Sequence, residues 1–392
     1  MLRISLAQGE ERRLRGGHPW VFSNEISSIA GGERIRGAVA EVYDAGGGYV
    51  GTGYYNPQSL IAARILSRGH EDVDTSEFYR QRIQQADAYR RSIYPGLTSY
   101  RVVHGEGDGL SGLVVDRYGS YLSIQLLSAG MDLRRELVVQ ALVDIFNPDG
   151  IVARNDVTVR SLEGLDEKVE ILFGSIPGPV WIEEHGLRFL VDLIAGQKTG
   201  HFLDQKENHL LLQSICQGKD VLDCFCYSGS WGVHAAAFGA SSVTCVDISG
   251  RAISLAGENA KTNGLLPVIT LETLDVFERL RTLKQEGRRF DVVVLDPPAF
   301  VKSKKSLREA QKGYLTINRR AMELLQPGGY LITCSCSFHM EREMFRDILK
   351  SAAQQAGREM RVIAARAQAP DHPVLLAVPE TEYLKCFVLQ RT

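Results

Sequence analysis

No window of about 18 uninterrupted apolar residues occurs in the 392-residue chain, so a membrane-spanning helix is not expected. The opening stretch MLRISLAQGEERRLRGG turns charged before the apolar core of a secretory signal can form, and a cytoplasmic address is expected. Cysteine is sparse and odd in number, seven in all, which argues against a disulfide framework and predicts reduced thiols. A formal net charge of −2 excludes wholesale electrostatic attraction to nucleic acid, although not a local basic surface. No internal repeat is present. Neither G-x-x-x-x-G-K-[ST] nor the full G-x-G-x-x-G spacing occurs, which disfavours a triphosphate or a pyrophosphate-bridged dinucleotide as ligand. The composition that remains, 44% hydrophobic and 23% charged, is that of a globular protein too long for one ordinary core.

Three segments differ in pattern. Residues 1–70 carry short alternating apolar runs (LRISL, AVAEVYD, YVGTGYY, IAARIL) broken by glycine-rich turns, which predicts a small β-rich domain. Residues 74–185 predict a mixed α+β unit: a helix from Thr75 or Ser76 that Pro95-Gly96 ends, a strand pair about a Tyr-Gly turn, a helix from Asp132 to Phe146, and a strand at GIVARND. From residue 186 to 392, short apolar strands (DVLDCF, SVTCVDI, DVVVLD, GYLITCS) alternate with helices. That alternation predicts an α/β, doubly wound, Rossmann-like sheet, and such sheets bind ligands beyond the carboxyl ends of their strands.

The strand ends are therefore where chemistry is expected. The first runs into Asp223-Cys224-Phe225-Cys226-Tyr227-Ser228-Gly229-Ser230-Trp231-Gly232, where glycines permit close approach to a ligand but serve helix–strand packing equally well. The second ends at Asp247-Ile248, a spacing at which an acid can take the two hydroxyls of a ribose. A third ends at Asp275-Val276. Two acids with two aliphatic neighbours suit an adenosine without phosphates, which points to S-adenosylmethionine as cofactor; the bland alternative is that surface acids commonly end strands. The fourth end reads Asp296-Pro297-Pro298. Its prolines remove N–H groups from the ladder and leave the acid and nearby carbonyls to face a planar amide edge such as that of a nucleobase.

Taken together, these residues resemble a class I S-adenosylmethionine-dependent methyltransferase, and more closely the bacterial 23S ribosomal RNA cytosine-5 methyltransferase I family. The likeness is carried along the whole chain by Gly17-His18-Pro19-Trp20-Val21-Phe22-Ser23-Asn24, His104-Gly105-Glu106-Gly107-Asp108-Gly109-Leu110, Gln197 to Gln205, Asp296-Pro297-Pro298, Ser335-Cys336-Ser337, Asp371-His372-Pro373 and Tyr383-Leu384-Lys385. At His201 the chain departs from the aromatic residue expected of the family. The resemblance implies an RNA-binding PUA domain, a central α+β domain and a methyltransferase domain. It also implies a cofactor site that includes Phe202, Asp204, Gln205, Phe225, Tyr227 and Ser228, and methylation of carbon 5 of a cytidine.

Carbon 5 of cytosine is a poor nucleophile until another nucleophile adds to carbon 6, and a thiolate suits that task. The family motif places that thiol at Cys336 and implies Asp296 on the cytosine edge. No second cysteine follows the prolines, so a single-cysteine mechanism is implied, with Cys334, Cys224, Cys226 and Cys245 as small buried hydrophobes. A zinc site built from Cys224-x-Cys226 and Cys334-x-Cys336 across adjacent strand ends is disfavoured, because C-x-C on extended chain aims poorly at one ion; no metal is expected. Phosphate contacts are expected from Lys302, Lys304, Lys305, Arg308 and Lys312, directly after the Asp-Pro-Pro motif, and from Arg12, Arg13 and Arg15. Trp20 beside them reads first as a core aromatic. Ribosomal RNA is the expected partner, and a homodimer is compatible with the sequence. The competing functions are an amino-directed nucleobase methyltransferase and a non-catalytic RNA-binding assembly factor.

Overall fold

The continuous apolar runs after residue 219 form the core of a seven-stranded sheet in the computed structural model, which describes residues 1–300 and 307–392. Numbered in chain order, its strands are β1 (Asp220–Cys224), β2 (Ser242–Asp247), β3 (Ile269–Thr273), β4 (Phe290–Leu295), β5 (Leu325–Ser335), β6 (Met360–Arg366) and β7 (Lys385–Arg391). The spatial order is β3-β2-β1-β4-β5-β7-β6. Pairing is parallel from β3 through β5, while β7 runs antiparallel to both its neighbours. Val292, Val293, Val294 and Leu295 of β4 are fully buried, as a central strand covered on both faces requires. The order reverses at β1 and β4, and in such sheets that reversal opens the ligand crevice.

Among the described residues, five helices of eight residues or more accompany this sheet: α1 (Ser230–Ala237), α2 (Gly250–Thr262), α3 (Val276–Gln285), α4 (Leu307–Leu324) and α5 (Arg342–Ala356). Each puts an apolar stripe into the interior. Tyr314, Ile317 and Ala321 of α4 and Phe345 and Leu349 of α5 join Leu280, Leu283, Leu331 and Leu389 in one buried cluster.

The chain divides into two compact units, of which this sheet belongs to the second, comprising residues 183–190, 204–369 and 382–392. The first unit comprises residues 1–182, 191–203 and 370–381 and holds two sheets. One is six-stranded, in the order Trp20–Phe22, Ile61–Ser67, Tyr49–Tyr55, Ala38–Tyr43, Leu2–Leu6, Ile26–Gly31. The other is five-stranded, running from Val169–Gly174 through Gly150–Arg154, Tyr121–Leu126 and Leu113–Tyr118 to Ser99–His104. The helix expected from Thr75 or Ser76 spans Ser76–Ile93, and the Thr75 side chain accepts from the Phe78 N–H as its cap. The helix expected over Asp132 to Phe146 is split in two, Ala129–Leu133 and Arg135–Phe146. Within this unit Arg90 is almost fully buried; it holds Asp108 and donates to the Asp371 carbonyl at 2.7 Å. The His104-to-Leu110 and Asp371-His372-Pro373 motifs, 267 positions apart when counted from His104 to Asp371, are therefore bound to one another. No helix among the described residues is long and apolar enough to cross a membrane.

Candidate active site

The loop from β1 to α1 is held in an uncommon backbone shape. Phe225 (φ 62°) and Tyr227 (φ 46°) sit in the left-handed region without being glycine, a conformation that costs free energy and persists only where surrounding contacts enforce it. The contacts are present. Phe225 and Cys226 both donate N–H groups to the Val246 carbonyl, at 2.9 and 3.2 Å, and Tyr227 N–H donates to Asp247 Oδ2 at 3.0 Å. Asn259 of α2 donates to the Ser228 carbonyl at 2.9 Å. Gly229 (φ 76°) faces Ala256 so closely that a β-carbon would lie 2.9 Å from it. At Gly232 a β-carbon would stand 2.4 Å from Cys245 Sγ. The glycines thus serve both the turn and the seating of α1.

Asp223, at the end of β1, is fully buried. Its Oδ2 accepts from the Gly232 N–H at 2.9 Å, and its buried Oδ1 has no hydrogen-bond partner among the described residues. Burial pushes its carboxyl up to about 8. A cation or a strong donor brought to Oδ1 would relieve that cost, so an orphaned acceptor at the loop fits the positively charged amino-acid end of S-adenosylmethionine. Asp247 differs: Tyr227 N–H occupies one of its oxygens and Ser249 N–H the other, at 2.9 Å, each oxygen keeping a second lone pair for a ribose hydroxyl. Ile248 beside it is 71% exposed. Asp275 is exposed and caps α3 through a bond from the Glu278 N–H. Val276 was expected to flank a base, but it is buried in the core cluster around Leu280, because it occupies the first apolar position of α3's inward stripe.

Asp296 follows β4. Its Oδ2 accepts from Trp231 Nε1 and from Gln205 Nε2, each at 3.0 Å, and desolvation raises its carboxyl above the ordinary range despite these bonds. Gln205 is fixed in turn, accepting from Asn208 at 2.7 Å. Asp204 accepts from the Tyr383 hydroxyl at 2.6 Å. Phe202 belongs to the first unit, where Lys198 Nζ stands 4.7 Å above its ring.

Cys336 lies one residue beyond β5 and is partly exposed, whereas Cys334 within the strand is fully buried and paired across to Cys386 of β7. Burial pushes the Cys334 thiol well up, as suits packing. The two serines flanking Cys336 are both fastened to one hydroxyl, that of Tyr314 on α4: Ser335 Oγ at 3.0 Å and Ser337 Oγ at 3.1 Å. Lys385, at the start of β7, is buried and donates to the Ser337 and Tyr383 carbonyls, each at 2.8 Å. Burial lowers Lys385 to about 8, and the charge of a nearby Cys336 opposes that fall. The two C-x-C pairs are not on adjacent strands, since β4 separates β1 from β5.

Trp231, Tyr314 and Lys385 were not singled out in the sequence as site residues. Lys385 left a signal, a lone cation inside the apolar run YLKCFVL, where burial without a partner is rare. Of the expected RNA contacts, Arg308 and Lys312 are exposed one turn apart on α4, and Lys302, Lys304 and Lys305 lie outside the described residues. Arg12 is exposed. Arg13 is committed internally, donating to Glu25 at 2.7 and 2.9 Å and to the Trp20 carbonyl at 2.8 Å, and Arg15 pairs with Asp44 at 2.5 Å. Trp20 donates to Glu106 at 2.8 Å.

Comparison with known proteins agrees with this architecture. Residues 4–68 match a PUA-like domain, and residues 158–375 match the S-adenosylmethionine-dependent methyltransferase family. The ribosomal RNA large subunit methyltransferase I of Shewanella denitrificans is 41% identical over 391 residues, covering 99% of this chain and 98% of that protein. The protein of the same name from Vibrio cholerae is 42% identical over 390 residues, with 98% of each covered. A methyltransferase solved as a complex with SAH shares the fold with a TM-score of 0.87 at 22% identity over the whole of both chains, as does a SAM-dependent methyltransferase from Streptococcus mutans (0.85, 22%, whole chains). The cofactor is S-adenosylmethionine, and the chain belongs to the S-adenosylmethionine-dependent methyltransferases and, among them, to the ribosomal RNA large subunit methyltransferase I family.

Proposed function

We propose that the protein methylates carbon 5 of a cytidine in 23S ribosomal RNA through a covalent bond between Cys336 and carbon 6. The observation that carries this reading is the setting of Cys336: a partly exposed thiol just beyond β5, its flanking serines tied to Tyr314 and the carbonyl of the next residue, Ser337, accepting from Lys385. Asp296 ends the neighbouring parallel strand β4. Cys334, by contrast, is fully buried within β5 opposite Cys386.

In this mechanism the Lys385 ammonium favours the Cys336 thiolate, since opposite charges stabilise one another at low dielectric. The thiolate adds to carbon 6, and the electron pair of the 5,6 double bond moves to carbon 5 and the N3 edge. Asp296, whose carboxyl is shifted upward by burial, hydrogen-bonds that edge and stabilises the charge that develops there. S-adenosylmethionine supplies an electrophilic methyl group to carbon 5. Loss of the carbon 5 proton to a base then restores the double bond and expels the Cys336 thiolate. The target base must be unstacked for carbon 6 to be reached. The exposed Arg308, Lys312 and Arg12 suit phosphate contacts, and a sequence match to a PUA-like domain supports an RNA substrate.

Mapping 5-methylcytosine across ribosomal RNA from cells with and without the gene tests the reading. One 23S site is expected to vanish and to return with the wild-type gene but not with Cys336→Ala; persistence of every site would overturn it.

A further inference from the structure

Glu184, His185 and His234 each present one ligand atom within 4.8 Å of the others, and none of them is the thiol or a carboxylate assigned above. The local hydrogen bonds fix what each ring offers. His234 Nδ1 lies 2.8 Å from the Ser230 carbonyl; a carbonyl only accepts, so Nδ1 carries the proton and Nε2 presents a lone pair. That Nε2 is fully buried and has no hydrogen-bond partner among the described residues. It stands 3.6 Å from Glu184 Oε1, with its lone pair turned to the carboxyl group. His185 Nε2 lies 2.9 Å from the Lys206 carbonyl and by the same reasoning donates, which leaves Nδ1 as its lone pair. Second-atom bonds from histidine to a carbonyl are the usual orienting contacts of metal-binding imidazoles.

The backbone adds a second observation. Glu184 closes the strand Val180–Glu184, and His185-Gly186 forms the two-residue turn to the strand Leu187–Val191. Both turn residues have positive φ, 51° and 78°, as tight hairpins need; asparagine or glycine satisfies the first position at less cost than histidine. Histidine at that strained position calls for a use of its ring.

We propose that Glu184, His185 and His234 bind a divalent cation of the zinc class, with a water in the fourth place. Two donors about 2.0–2.1 Å from a tetrahedral ion stand roughly 3.3 Å apart, close to the 3.6 Å found between Glu184 and His234. Imidazole and carboxylate donors without thiolate suit Zn²⁺, Co²⁺ or Ni²⁺ rather than a soft or a hard ion. The two C-x-C pairs lie on strands that are not adjacent, and this site uses none of those residues. The ion ties the hairpin turn to α1 through Glu184, which also accepts from His209 Nδ1 at 2.6 Å. The His209 ring stands edge-on to Trp231 at 4.7 Å, and Trp231 is the donor to Asp296. The site is therefore structural, supporting the strand end from behind.

The test is titration of the untagged, chelator-treated full-length protein with Zn²⁺ alone, and with Co²⁺ for its visible absorption. One ion per chain is expected, with a tetrahedral cobalt spectrum free of sulfur charge-transfer bands. His185→Asn keeps the turn and His234→Gln keeps the volume; each is expected to weaken binding by on the order of 100-fold while circular dichroism and S-adenosylmethionine binding stay unchanged. His185 is exposed, so its variant decides the matter if His234→Gln fails to fold. Absence of stoichiometric binding by the wild type overturns the proposal, and so does equal binding by His185→Asn. Either result would favour a doubly protonated His234 paired with Glu184.

Discussion

Replacing Asp223 by asparagine removes a titration from the interior without removing the acceptor that the loop needs. The amide oxygen can still take the Gly232 N–H, now at 2.9 Å, and the volume scarcely changes. In the wild type the carboxyl rises from its ordinary 3.8 to about 8 because it is buried. Between those values the folded protein holds a proton that the unfolded chain has released. A raised acid contributes stability that is fully present below pH 3.8 and lost as pH climbs to about 8. At about 1.4 kcal/mol per pH unit the whole window is worth at most about 6 kcal/mol, less whatever the site relaxes. Urea unfolding of both proteins between about pH 5 and 8 should show the variant's advantage growing steadily with pH and levelling off above 8. Binding of S-adenosylmethionine, a cation at its amino-acid end, should release a proton from the wild type and none from Asp223→Asn, which calorimetry in buffers of different ionisation enthalpy reads directly. Parallel stability curves would refute the reasoning, because they would mean that Asp223 is ionised and satisfied in the folded state.

Three further outcomes follow from the same contacts. Lys385→Met should lower the turnover number by on the order of 100-fold with little change in RNA affinity; in the wild type, activity should decline above pH 8, where Lys385 loses the charge that burial leaves it only up to about 8, and that limb should be missing in the variant. Gly232→Ala puts a β-carbon 2.4 Å from Cys245 Sγ and should cost about 1–3 kcal/mol in chemical denaturation, a loss that adding Cys245→Ala should partly restore. Arg308→Ala and Lys312→Ala should each flatten the salt dependence of RNA binding, by about 0.7 in the log–log slope for each phosphate left without its cation, whereas Arg13→Ala should chiefly lower the melting temperature because Arg13 is bound to Glu25.

The strands that build the crevice were legible because a central strand buried on both faces is written as an unbroken apolar run, as in DVVVL. Their ends pointed to Asp223, Asp247 and Asp296 by position, whereas the choice of Cys336 over Cys334 came from the family resemblance. The strands β6 and β7 were not legible in the same way. Met360–Arg366 is mostly exposed, so nothing in it alternates, and β7 opens with Lys385, which breaks the apolar pattern at the residue that stands beside Cys336. The sequence could not separate Arg13 from Arg12, because the difference is Glu25, an acid twelve positions away that folding brings to 2.7 Å. Nor could it separate Ile248 from Val276: both follow an acid at a strand end, but Val276 is already the first inward residue of a helix.

The central claim concerns one thiol, and a covalent trap tests it most directly. A fluorine at carbon 5 cannot leave as a proton does, so 23S ribosomal RNA containing 5-fluorocytidine should arrest the reaction after methyl transfer, with the protein still bonded to carbon 6. In the presence of S-adenosylmethionine, the wild type and Cys334→Ala are expected to form a denaturant-stable protein–RNA adduct, and Cys336→Ala none. An adduct with Cys336→Ala, or full methylation of unmodified RNA by that variant, would contradict the account.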